Sequence, residues 1–96
     1  MIAPRTIKHF PLGQLVATPG ALSVIERAGQ SPNVFIERHL KNDWGEVCGD
    51  DWNLNDQALD DGDRLLSAYR TAKGERIWVI SESDRSATTL LLPDEY

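Results

Sequence analysis

Apolar residues with a period of two begin at Arg64 and continue almost to the end of the chain, and helices alone cannot satisfy that pattern. The segments RLLSAYRT and RIWVIS flank the Gly-containing turn Ala72-Lys73-Gly74-Glu75, and this arrangement predicts a hairpin. ATTLLL follows after the loop at 82–86, rich in β-branched and apolar side chains and stopped by Pro93, and reads as a third antiparallel strand. So small a sheet needs a covering layer. The first half of the chain supplies it. Thr18-Pro19 and Ser31-Pro32 each place a hydroxyl cap before a proline at the first helical position, where the missing N–H costs nothing. Leu22, Ile25 and Ala28 follow the first cap at helical spacing, Gly29 closes that helix, and Phe35, Ile36 and Leu40 form the inward stripe of the second. The predicted class is α+β, with N-terminal short helices packed on a C-terminal three-stranded antiparallel meander. The first dozen residues read as an extended arm pairing at a sheet edge. At 96 residues the chain is expected to form a single domain, 1–96.

No apolar run approaches the roughly 20 residues that cross a bilayer, and the opening MIAPRTIKHF has no hydrophobic signal core. The expected location is the cytoplasm, without a membrane partner. A single cysteine, Cys48, excludes an internal disulfide and leaves a cysteine-based zinc site short of ligands. Asp51, Asn53 and Asn55 match the first three positions of a calcium loop. Asp56 then stands where that loop needs Gly, and Gly62 where it needs Glu. Neither a metal nor a cofactor is expected.

Charge is distributed unevenly. The chain carries a formal net charge of -5, yet residues 43–63 contain Asp43, Glu46, Asp50, Asp51, Asp56, Asp60, Asp61 and Asp63 with no Lys or Arg. Such carboxylates repel one another and must face water or a cationic partner. Asn55-Asp56-Gln57-Ala58-Leu59 can make a capped helical turn or two that Gly62 would close, and the large rings of Trp44 and Trp52 should pin an otherwise irregular acidic ridge to the core. The eight carboxylates and two tryptophans form the candidate binding site for a protein partner with a basic surface.

Two other readings compete. The abutting helices around Gly29-Gln30-Ser31 suggest a helix-turn-helix, with Asn33, Glu37, Arg38 and Lys41 on the reading helix, but the acidic stretch would repel a phosphate backbone. A small RNase-like enzyme would draw on His39, Arg85 and Thr88 or Thr89. His39 falls on the Phe35 side of its helix, which favours a buried, hydrogen-bonded structural role. In the loop Asp84-Arg85-Ser86, Asp is expected to accept backbone bonds and Arg to be held by carboxylates. The exposed edge of a three-stranded sheet would suit a homodimer.

Taken in order, ATPGAL, AGQSP, FIERH, DWG, SAYRT, IWVISESDRS, TTLLLP and EY resemble a family of small proteins from bacterial plasmids and integrated mobile elements, the "plasmid-related proteins". The resemblance spans roughly residues 12–96. That family carries no assigned activity, so the resemblance implies a context and no residue roles. In that context an acidic protein would act as a nucleic-acid mimic, countering a host defence nuclease by presenting carboxylates to its basic channel.

Overall fold

The computed structural model describes residues 7–96. Strand β1 (Gln14–Ala17) is followed by helices α1 (Pro19–Arg27), α2 (Pro32–Leu40) and α3 (Gly49–Asp61), then by β2 (Leu65–Arg70), β3 (Arg76–Ser81) and β4 (Ala87–Leu91), and a short 3-10 turn at Pro93–Glu95. Both expected caps form. The Thr18 hydroxyl accepts from the Ala21 N–H at 3.1 Å and the Ser31 hydroxyl from the Asn33 N–H at 3.3 Å, with Pro19 and Pro32 at the helix starts.

The α+β class holds, but the sheet differs from the expected meander. It has four strands in the order β1-β4-β3-β2, with β1 parallel to β4 and the other pairs antiparallel. Pairing at a sheet edge occurs at Gln14–Ala17, just past the expected arm, of which residues 1–6 lie outside the described residues. QLVA is too short, and too plain in pattern, to announce a strand before its partner is known. Nor are the helices all N-terminal. The acidic stretch, expected to be irregular apart from a turn or two around Asn55, contains the 13-residue α3, closed by Gly62 at φ 76°.

One sheet face carries Leu65, Ser67, Tyr69, Ile77, Val79, Ser81, Thr88 and Leu90, and all of them are buried. Against the apolar members of this face pack Ala21, Val24 and Ile25 of α1 and Phe35 and Ile36 of α2. Each fully buried large aliphatic or aromatic side chain contributes about 1.5–3 kcal/mol, so this layer is the main source of stability. A second cluster of Trp44, Ala58 and Leu65 joins α3 to the β2 end of the sheet.

Candidate functional site

Only Asn55 and Ala58 of α3 are fully buried, with Trp52 and Leu59 partly buried against Trp44 and Leu65. Polar bonds hold it as well. The Asn55 side chain donates to the Leu66 carbonyl at 2.7 Å and accepts from the Leu66 N–H at 3.0 Å, copying one residue of a neighbouring strand on the open edge of β2. One step along, the Ala68 N–H donates to the Trp44 carbonyl at 3.0 Å and the Glu46 N–H to the Ala68 carbonyl at 2.7 Å. The β2 edge is thereby covered.

The C-terminal end of α3 presents carbonyls and carries no basic residue of its own. Cations from distant parts of the chain compensate it. Lys8 bonds Asp60, and the Arg85 guanidinium donates to the Ala58, Asp63 and Glu82 carbonyls at 3.1, 2.6 and 3.0 Å. Arg85 is thus held by carbonyls rather than by the expected carboxylates, in a loop where Asp84 does accept the Ser86 N–H at 2.9 Å. Residue Arg85 itself stands at φ 59°.

The eight acidic groups do not form one ridge. Asp43 pairs with Arg38 at 2.8 Å, Glu46 with Arg70 at 3.0 Å through both oxygens, and Asp60 with Lys8. Asp56 accepts the Trp44 indole N–H at 3.0 Å. The flanking thirds of the chain therefore neutralise part of the charge that composition assigns to the middle. Asp50, Asp51, Asp61 and Asp63 stay exposed at the two ends of α3, where the 1.5 Å rise per residue places Asp50 about 16 Å from Asp61. Trp44 is completely buried and Trp52 partly so, both in the second cluster: they anchor the stretch as expected, but Trp44, enclosed in the core, is not placed to meet a partner as the candidate site required. Between the two acidic ends lies Leu54, 60% exposed, in line with Asp50, Gln57 and Asp61 on the outward stripe of the helix. Sequence reasoning missed Leu54. Its signal, a lone apolar residue on a polar helix face, appears only once the helix is extended back to Gly49.

His39, Arg85 and Thr88 do come near one another, although not as a solvent-facing site. His39 is fully buried, its ring edge-on to Phe10 at 5.3 Å and to Trp44 at 5.5 Å. Nδ1 lies 2.6 Å from the Ser67 hydroxyl and Nε2 2.9 Å from the Ser81 hydroxyl, which lies 2.7 Å from that of Thr88. Thr88 donates its proton to the Leu12 carbonyl at 2.8 Å. A carbonyl can only accept, so the direction of every bond in the chain follows. Ser81 must donate to Thr88 and Nε2–H must donate to Ser81; with the ring neutral, Nδ1 then accepts from Ser67. His39 is neutral and protonated at Nε2, and burial, with the Arg85 charge adding to it, lowers its pKa from 6.5 to about 4. The buried relay partners Ser67 and Ser81 were missed as well. Both are polar residues at inward positions of strands, which is the signal that could have found them.

The remaining features are less organised. Asp51, Asn53 and Asn55 lie within α3, and Asn55 is already engaged with Leu66, so the calcium-loop pattern does not close. Among the described residues no group of three His, Cys, Asp or Glu side chains is placed to hold a metal ion. Of the reading-helix residues, Arg38 is committed to Asp43 and lies over the Tyr69 ring at 4.4 Å, while Asn33, Glu37 and Lys41 are exposed. Thr89 is half-buried on the opposite sheet face from Thr88. A shallow cleft of about 260 Å³ opens beside the start of α3, lined by Val47, Cys48, Asp51, Ala68, Arg76 and Trp78 among others. No helix among the described residues is long and apolar enough to cross a membrane.

Comparison of the chain with protein-family models, curated proteins and solved structures gives no match.

Proposed function

We propose that this chain is a non-enzymatic protein-interaction module of a bacterial mobile element, which uses the outward face of α3 to dock on a basic protein surface. The observation that carries this reading is Leu54, 60% exposed between Asp50 with Asp51 one turn before it and Asp61 with Asp63 two turns after it. A central apolar side chain flanked by charge is how an amphipathic helix enters a groove, with the apolar anchor giving affinity and the charged rim giving orientation and on-rate. The same geometry favours a Leu54-centred contact over nucleic-acid mimicry of a nuclease channel. Duplex DNA carries one charge per about 1.7 Å of axis, whereas α3 exposes its carboxylates only at two ends about 16 Å apart. The RNase-like alternative draws no support from His39, which is enclosed with both ring nitrogens bonded.

A photo-crosslinking residue at position 54, in cells of the source organism, tests the reading against the same residue at exposed Glu26. Adducts specific to position 54, lost when Asp50, Asp51 and Asp61 are changed to Asn in a protein with unaltered circular dichroism, are the expected result. Adducts at position 54 no stronger than at position 26, or unchanged by the neutralisation, would refute it.

A further inference from the structure

The two edges of the sheet are treated differently. At the β2 edge Asn55 and residues 44–46 occupy the open backbone groups, while β1 is the opposite end strand and, among the described residues, nothing bonds to its outer edge. The Gln14 and Thr18 N–H groups point inward, to the Ser86 carbonyl at 2.9 Å and the Leu90 carbonyl at 3.0 Å. Alternation along a strand then turns the N–H and C=O of Leu15 and Ala17 outward. Leu15 is 50% exposed and Val16 41% exposed. Its shortness, four residues, is the one device that blunts this edge; the segment has no charge, no internal proline and no bulge.

We infer that β1 pairs antiparallel with β1 of a second copy of this chain, about a two-fold axis through Val16, to form a continuous eight-stranded sheet. Backbone register singles out this axis. With Val16 on it, Leu15 of each copy lies opposite Ala17 of the other, and each pair exchanges two N–H···O=C bonds. All the outward groups of both strands are then used. An axis through Leu15 would set Ala17 against Gly13, whose φ of 66° takes it out of the extended range. An axis through Ala17 would set Leu15 against Pro19, which has no N–H and begins α1.

Side chains fit the same arrangement. Leu15 and Ala17 share one face of β1, so across the axis a large side chain meets a small one twice, and on the other face Val16 meets its own copy. Electrostatics favour a second copy as the occupant over a charged partner. Two chains of net charge -5 repel each other, yet residues 9–25 contain no Asp, Glu, Lys or Arg, so this is a stretch along which two copies can approach without opposing like charges. The contact is independent of α3, which lies at the far edge of the sheet.

Sedimentation from about 1 µM to about 1 mM, the range in which so short a strand pairing should titrate, reads the association directly. A mass rising from monomer to dimer is expected. The Val16→Lys variant, with two cations facing across the axis, should stay monomeric throughout, as should Val16→Asp. An equimolar mixture of the two should restore the dimer, because each Lys then meets an Asp. Circular dichroism spectra matching the unsubstituted protein establish that both variants fold. A protein monomeric at about 1 mM, a Val16→Lys variant that still dimerises, or a mixture of folded variants that fails to associate would each overturn the inference.

Discussion

Acid should destabilise this protein through His39 over a window that few carboxylates share. The folded-state pKa is lowered from 6.5 to about 4, by burial first and by the Arg85 charge second. Below pH 6.5 the unfolded chain takes up a proton that the folded chain refuses. The stability is therefore complete above about pH 6.5, falls as the pH drops, and levels off near pH 4. At about 1.4 kcal/mol per pH unit the loss is about 3 kcal/mol in all. For a domain of this size that lowers Tm by roughly 12–24 °C. Protonation would also reverse the Ser67 bond, since Nδ1–H would donate and the Ser67 hydroxyl would have to rotate to accept it. Urea unfolding between pH 4 and pH 8, followed by circular dichroism, measures the slope, and the same series on His39→Gln should be nearly flat from pH 6.5 to about 4.5. Asp84 and Glu95 have lowered pKa values, from hydrogen bonds to Ser86 and to Thr18 respectively, so what they contribute is lost only as the pH falls through the ordinary carboxylate range, toward the acid end of this window. Nitrogen NMR shifts of the ring should report protonation at Nε2. An Nδ1–H tautomer, or a slope that survives in His39→Gln, would refute the reasoning.

Asn55→Leu should cost about 2–4 kcal/mol, because it strips both bonds from the Leu66 backbone and leaves a strand edge unpaired, and faster amide exchange at Leu66 and through α3 should accompany it. Gly45 and Gly62 share a φ of 76°, but a Cβ at Gly45 would lie 2.0 Å from the Ala68 carbonyl oxygen whereas at Gly62 it would meet nothing within 4 Å. Gly62→Ala should therefore cost only the left-handed strain of about 1–2 kcal/mol, and Gly45→Ala well beyond that, a difference that parallel thermal melts will resolve.

The parts legible in the sequence were those with local causes. A hydroxyl before a proline makes a helix start whatever surrounds it, so Thr18-Pro19 and Ser31-Pro32 could be placed directly, as could the hairpin around Gly74 and the helix end at Gly62. What escaped depended on partners remote in the chain. Gln14–Ala17 is a strand because β4 is beside it, and residues 49–54 are helical although they are rich in Asp and Asn. That helix is sustained by Asn55 on β2, by Trp44 bonded to Asp56, and by Lys8 and Arg85 at its C-terminal end. The acidic segment illustrates the same limit. Its charge could be counted from composition, but the pairing of Asp43, Glu46 and Asp60 with Arg38, Arg70 and Lys8 could not, and that pairing reduces the exposed anionic surface to the two ends of α3.

The parallel pairing of β1 with β4 bears on how the chain acquires its fold during synthesis. The Thr88 hydroxyl reaches a Leu12 carbonyl 76 residues earlier, and Thr18 is tied to Glu95 across 77 residues. At a translation rate of about 5–20 residues per second, β1 leaves the ribosome roughly 4–15 s before the strand it must join. Helices α1 and α2, nine residues each, are too short to be stable before the sheet they pack on is made, so the uncharged stretch around β1 remains bare while the rest of the chain emerges. That interval is when a nascent-chain chaperone would find its best purchase on this protein.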